Sequence, residues 1–338
     1  MGVAAVVKHW VLNSQETNRN SQSSDADDRT LFEVYYPPFR AAVEAGVASV
    51  MCGYNQINGT PACGARRQVD HLRNAMGFEG FVMSDWWAIR STSAALGGVD
   101  QEQPGGMHDW FRPDRLTQAS ADIDGMAGRV LTGLMMSGAF DAGVPPRPTC
   151  TPQTPDPANT GHHEPDCNFL FYQARVTSDA HERLAEEVAG AGVVLLKNKE
   201  SNGRTTLPLR RGVRVALIGD ACAAPFVGAH APWNAADYYT MGGSGRVSPS
   251  VDAAFTIERG LSARFHAGEL SALHVVRTAD PHSALEAMRG YDVAIACGGG
   301  HTTEGADRPS LRLDQVALPP FAPPASTSNL AHLWTAAP

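Results

Sequence analysis

Short apolar runs alternate along this chain with stretches whose apolar residues recur at helical spacing, and turn residues mark the changes between them. Residues 2–7 read as a buried strand with Lys8-His9 at its C-terminal end. A polar loop from Asn13 to Asp28 precedes an amphipathic helix from about Thr30, which Pro37-Pro38 is expected to interrupt. A second helical piece, Phe39 to Ala45, ends at Gly46, and Val47 to Met51 is the next strand. Helix Gln68 to Met76 leads to the compact run Phe81 to Met83, bounded by Gly80 and by polar Ser84-Asp85. A short helix at Ser91 to Leu96, a tight loop from Gly97 to Gly105 and a long helix from Asp114 to Met136 follow. This alternation predicts a parallel sheet with helical crossovers.

From Asp141 to about Asn168 the composition turns to Pro, Thr, Asp and His, which marks a linker or exposed insertion. Asp179-Ala180-His181-Glu182 then resembles a capping box, with Ala180, Leu184, Val188 and Ala191 at helical spacing and Gly192 as the stop. Val193 to Leu196, Val213 to Ile218 and Asp292 to Cys297 read as buried strands, the last after a helix at Ser283 to Arg289. These predict a second α/β unit with its own core. After Leu313-Asp314-Gln315 the chain passes into a Pro-rich, low-complexity tail that reads as disorder.

At 338 residues the chain suits two domains, and 43% hydrophobic with 18% charged residues is a globular composition. A net charge of -8 without a basic tract argues against nucleic acid as partner. No apolar run is long enough for a bilayer, so no membrane partner is expected, and the N-terminus has neither basic leader nor cleavage site. Of six cysteines, Cys52 and Cys63 bracket a turn-like segment and are expected to bond to one another. Cys150 and Cys167 flank another Pro-rich loop, whereas Cys222 and Cys297 sit in apolar strand contexts and read as buried thiols. With the sequon Asn58-Gly59-Thr60, the first two pairs lean towards an oxidising, secretory setting.

The candidate chemistry centres on Asp85. In parallel α/β barrels the working side chains stand at the C-terminal ends of strands, where the loops build the site. Asp85 occupies such an end, with Trp86 beside it as a flat apolar surface; a helix N-cap is the structural alternative. Gly242-Gly243-Ser244-Gly245 and Gly298-Gly299-Gly300 match no nucleotide fingerprint, and close backbone packing suits glycine equally well. His162-His163 reads as solvated loop rather than metal site.

Taken in order, these segments resemble glycoside hydrolase family 3, the β-glucosidase group. The likeness runs through Lys8-His9-Trp10 with Asn13, Gln15-Glu16 and Arg19; Arg29 with Glu33; Val50 to Asn55; and Gly77 to Trp86. It continues in Gly98-Val99-Asp100 with Pro104-Gly105, Val194 to Asn198, Leu207-Pro208-Leu209, Gly242 to Gly245 and Glu304-Gly305-Ala306-Asp307-Arg308. The resemblance implies an α/β chain: a partial (β/α)8-type barrel over 1–140, a linker over 141–177 and an incomplete α/β sandwich over 178–318, while the tail over 319–338 carries no likeness and reads as disorder from its composition. A complete barrel takes about 250 residues, so only its C-terminal half is expected here.

The family's chemistry would make Asp85 the nucleophile and Glu304 the general acid/base of a retaining β-glucosidase. Lys8, His9, Arg19, Met51, Tyr54 and Trp86 would line the sugar subsite, with Lys8 and Arg19 keeping Asp85 ionised and Glu304 held as the acid. A β-linked glucoside or oligosaccharide is the implied substrate, no metal or cofactor is implied, and the full-length parent would be secretory or extracellular. β-Xylosidase specificity, or an inactive carbohydrate-binding remnant, are the alternative readings.

Overall fold

The computed structural model describes residues 3–106, 108–138, 177–199, 205–222, 231–246, 255–278, 280–314 and 330–331. Two compact units divide at Ala174 and Arg175. Cys150, Cys167, His162, His163 and most of the predicted linker and tail lie outside the described residues.

In the first unit three strands form a parallel sheet in the order β1 (Val6–Trp10), β3 (Ser49–Cys52), β6 (Phe81–Ser84). Each strand lies beside its predecessor, so the sheet winds in one direction, as a barrel wall does. β3 is buried along its whole length, and its one polar side chain, Ser49, donates to the Phe81 carbonyl at 3.0 Å. A smaller sheet orders β2 (Ser23–Ser24), β4 (Gln56–Ile57) and β5 (Thr60–Pro61) as β2-β4-β5.

The crossover from β1 to β3 corrects one expectation. Pro37-Pro38 does not interrupt the helix: α1 (Asp28–Thr30) runs into a π-helical turn (Leu31–Tyr35) and on into α2 (Tyr36–Glu44). The prolines sit at the first positions of α2, where a missing N–H costs least, and the wide turn before them absorbs the mismatch. The next crossover repeats the device, with α3 (Arg66–Asp70) followed by a π turn (His71–Ala75).

β1 also departs from expectation, because it runs to Trp10 and so places Lys8 and His9 within the strand. Trp10 anchors that end, stacked on Tyr36 at 4.7 Å and meeting the edge of Phe39 at 4.9 Å. After β6 come α4 (Ser93–Leu96), α5 (Pro113–Gln118) and α6 (Ile123–Met136). The long helix expected from Asp114 to Met136 is therefore two. Ser120 takes a positive φ between them, and the Asp122 side chain restarts the chain by accepting from the Gly125 N–H.

In the second unit α7 (Asp179–Ala191) is capped by Ser178, whose hydroxyl accepts from the His181 N–H. Val193 to Leu196 form no strand, against expectation, and are 57% to 78% exposed. An apolar run becomes a strand only where a neighbour supplies hydrogen bonds, and no described strand pairs with this one.

The sheet of this unit runs β10 (Leu330–Ala331), β9 (Val293–Ala296), β7 (Arg214–Ile218), β8 (Ala272–Val276), all pairs parallel. β10 comes from the segment read as a disordered tail, while β8 and α8 (Ile257–His266) were not foreseen. The period-two alternation of β7 sorts its side chains into two layers. Val215 and Leu217 pack with Leu261 of α8, and Ala216 and Ile218 pack with Ala284 and Met288 of α9 (Pro281–Met288). Helices thus cover both faces, as in a doubly wound sheet. Cys222 and Cys297 are bonded to one another, Cα to Cα 5.3 Å, rather than remaining thiols. They follow the adjacent strands β7 and β9, whose parallel register brings the two positions together.

Candidate active site

Asp85 extends β6 by one residue, its N–H donating to the Cys52 carbonyl at 3.3 Å. The helix N-cap alternative fails, since the next helix begins only at Ser93. The Asp85 side chain is 11% exposed and its carboxylate accepts from three directions. His9 Nε2 lies 3.0 Å from Oδ2. The Tyr54 hydroxyl donates to Oδ1 at 3.0 Å, and the Trp86 N–H donates to the same oxygen at 2.7 Å. Burial alone would push the Asp85 pKa up, but the bonds from His9, the Trp86 N–H and Tyr54 outweigh it and hold it below the ordinary value.

His9 reaches Asp85 because β1 is irregular there. Lys8 pairs with Met51 and Trp10 with Cys52, so His9 is the extra residue of a bulge. Bulges re-aim side chains, and this one brings the imidazole past β3 onto the carboxylate at the end of β6. Tyr54 stands in the turn after β3, steadied by two anchors. Asn55 donates to the Val11 and Gln56 carbonyls at 3.1 Å each, and the disulfide Cys52–Cys63 closes the segment at a Cα separation of 5.3 Å.

The remaining predicted residues take less direct places. Arg19 pairs with Glu16 at 2.8 Å and lies over the Tyr54 ring, 4.3 Å from its centroid. Lys8 is exposed and in register with Met51 and Met83, forming a row across the sheet with Met51 buried. The contacts that lower the Asp85 pKa come from His9, the Trp86 N–H and Tyr54. Trp86 is half-buried.

In the second unit Glu304 is held by the glycine loop. Ser244 donates to its Oε2 through both N–H, at 2.8 Å, and hydroxyl, at 2.6 Å. Gly243 makes this possible: its φ is +107°, and a Cβ there would fall 2.4 Å from the Cβ of Glu304. The second glycine loop is closed by packing, since a Cβ on Gly299 would meet the Tyr238 ring at 2.5 Å. Neither loop presents an open phosphate cradle. Among the described residues no three His, Cys, Asp or Glu side chains converge as metal ligands, and no helix is long and apolar enough to cross a membrane. A groove of about 590 Å³, lined by Phe111, Leu116, Met126 and Val130 among others, holds none of the predicted site residues.

Sequence reasoning missed two residues that support the site, Asp100 and Arg90. Asp100 lay inside a quoted motif without an assigned role, and its partly buried partners Arg73 and Arg129 are distant in sequence. Nothing in the local pattern marks Arg90, an exposed arginine in a loop.

A singly wound parallel sheet with a buried carboxylate at a strand's C-terminal end is the arrangement found in the wall of a parallel α/β barrel. The N-terminal domain of glycosyl hydrolase family 3 matches residues 1–103, and the C-terminal domain of the same family matches residues 193–318. The chain belongs to glycosyl hydrolase family 3. Among curated relatives, beta-glucosidase cel3A of Pyricularia oryzae is 37% identical over 236 residues, covering 66% of this chain and 28% of that protein. Probable beta-glucosidase L of Aspergillus terreus is 39% identical over 241 residues, covering 66% and 30%. The chain thus spans about a third of the length of these relatives. Among solved structures, the beta-D-glucoside glucohydrolase of Trichoderma reesei superposes with a TM-score of 0.73 at 30% identity, over 94% of this chain and 44% of that one. Beta-glucosidase D2-BGL of Chaetomella raphigera gives 0.78 at 26% identity, over 99% and 47%.

Proposed function

We propose that this chain carries the two catalytic carboxyls of a retaining β-glucosidase, with Asp85 as nucleophile and Glu304 as general acid/base. The observation that carries the reading is the charge state of Asp85, held as carboxylate by His9, Tyr54 and the Trp86 N–H despite burial. In the first step a carboxylate oxygen of Asp85 attacks the anomeric carbon while Glu304 gives its proton to the departing glycosidic oxygen. In the second, Glu304 takes a proton from water, the hydroxyl adds to the anomeric carbon, and Asp85 leaves as carboxylate. The donors that keep Asp85 ionised also make it a better leaving group in that second step. Lys8, His9, Arg19, Met51, Tyr54 and Trp86 would hold the sugar, Trp86 offering an apolar face to the ring.

The names of the relatives support a β-linked glucoside as substrate. The two disulfides support folding in an oxidising compartment, hence a secretory or extracellular setting. The test is Asp85→Ala in a form of the protein extended to the length of its relatives. Hydrolysis of an aryl β-glucoside should fall by at least about 10⁴-fold, the scale of nucleophile deletions in other covalent enzymes. Added azide should then yield the α-configured glucosyl azide. Turnover near wild type, or a β-configured azide product, would refute the assignment.

A further inference from the structure

The loops that follow β1, β3 and β6 meet at one guanidinium. Arg90 lies in the loop beyond Asp85 and is exposed. Its Nη2 donates to the Asn20 carbonyl, in the loop after β1, and to the Tyr54 carbonyl, in the turn after β3, the latter at 2.9 Å. Tyr54 is thereby gripped along its whole length. Its carbonyl is on Arg90, its ring lies under Arg19 at 4.3 Å, and its hydroxyl is on Asp85 at 3.0 Å. Asn20 adjoins Arg19, so the same nitrogen also fixes the backbone beside the cation that covers the ring.

We propose that Arg90 is a positioning residue, tying the backbones of Asn20 and Tyr54 together so that the Tyr54 hydroxyl stays on Asp85. Loops at strand ends move unless they are tied, and a charged guanidinium donating to carbonyls makes a stronger tie than a neutral donor. Both arms of the tie converge on Tyr54, one on its own carbonyl and the other, through Asn20, beside the Arg19 that covers its ring. A surface contact that merely stapled loops would change stability and leave the carboxylate's surroundings as they were. The catalytic meaning of the tie rests on Asp85 being the nucleophile; the test does not.

The groups around the reporter are His9 and Tyr54 on Asp85, with Arg19 and Glu16 beyond the tyrosine ring. The full chain is labelled at aspartate carboxyl carbons, and the Asp85 resonance is identified by its loss in Asp85→Asn. Its titration is followed in wild type, Arg90→Ala, Tyr54→Phe and the double variant, with the amide spectrum as a check of folding. Tyr54→Phe should raise the Asp85 midpoint, Arg90→Ala should raise it in the same direction, and the double variant should move no further than Tyr54→Phe alone. Arg90→Lys, which keeps charge and donors, should shift it less than alanine does. Arg90→Met, which keeps the aliphatic stem, stands in should the alanine variant not fold. A wild-type midpoint in both neutral Arg90 variants, additive shifts in the double variant, or no shift in Tyr54→Phe would each overturn the proposal. Failure of the glycosidase reading would appear instead in the turnover of Asp85→Ala.

Discussion

The Asp85 carboxylate is surrounded by donors that favour its charged form. The oxygens of Asp85 are used by His9 on one side and by Tyr54 and the Trp86 N–H on the other. Because its folded pKa lies below the usual 3.8, Asp85 contributes stability that is present above the unfolded value and lost as pH falls through the folded one. The same shift sets an expectation for activity. The acid limb of kcat/KM that reports Asp85 should lie below the ordinary carboxylate range, and His9→Asn should move it upward. A pH profile of aryl β-glucoside hydrolysis in the extended form checks this. An unmoved acid limb in the His9 variant would show that the imidazole does not govern the carboxylate.

At the scale of elements, the strand that bears Asp85 would have an open edge without the segment after α4. Residues 100–103 lie along β6 as a substitute strand. Asp100 and Gln101 donate their N–H groups to the Val82 carbonyl, Ser84 donates to the Gln101 carbonyl at 2.9 Å, and Gln103 donates to the Ser84 hydroxyl at 2.8 Å. The Asp100 side chain, wholly buried, accepts from the Val82 N–H at 2.9 Å and from Arg73 and Arg129 at 2.8 Å each. Removing its charge would leave the partly buried Arg73 guanidinium without its carboxylate and Arg129 with only the exposed Asp122 at 4.0 Å. Asp100→Ala is therefore expected to cost about 3–5 kcal/mol, a scale set by broken buried pairs. Urea unfolding of wild type and variant measures it; a loss below about 1 kcal/mol would assign the network no structural weight.

At the scale of the whole molecule, the two units use one alphabet in two ways. The first sheet adds each strand on the same side of its predecessor, while the second places β7 between β8 and β9. The described first sheet holds three parallel strands, whereas a closed barrel takes eight. Positioning of the reacting carbon can supply about 7–11 kcal/mol of a barrier, and it needs both walls of a site. The 338-residue chain is accordingly expected to turn over an aryl β-glucoside far more slowly than a form extended upstream to a full barrel. Equal kcat/KM for the two forms would show that three strands suffice.

What the sequence determined by itself is what short-range pattern encodes. The short apolar runs within β3, β6, β7 and β9 mark strands whose faces are largely covered, and Ser84-Asp85 ends its run with the carboxylate of the candidate site. The motif order around Lys8-His9, Asp85 and Glu304 was equally legible, since it is carried by residue identity alone. Tertiary structure decided the rest. The bulge that turns His9, the π turns that carry Pro37-Pro38, and the pairing of Cys222 with Cys297 depend on which strands lie side by side. Val193 to Leu196 have a strand's composition but no described partner, and β8 has a partner despite a weaker pattern. Arg90 and Asp100 act through groups far away in sequence, so their contacts exist only once the loops have been brought together by the fold.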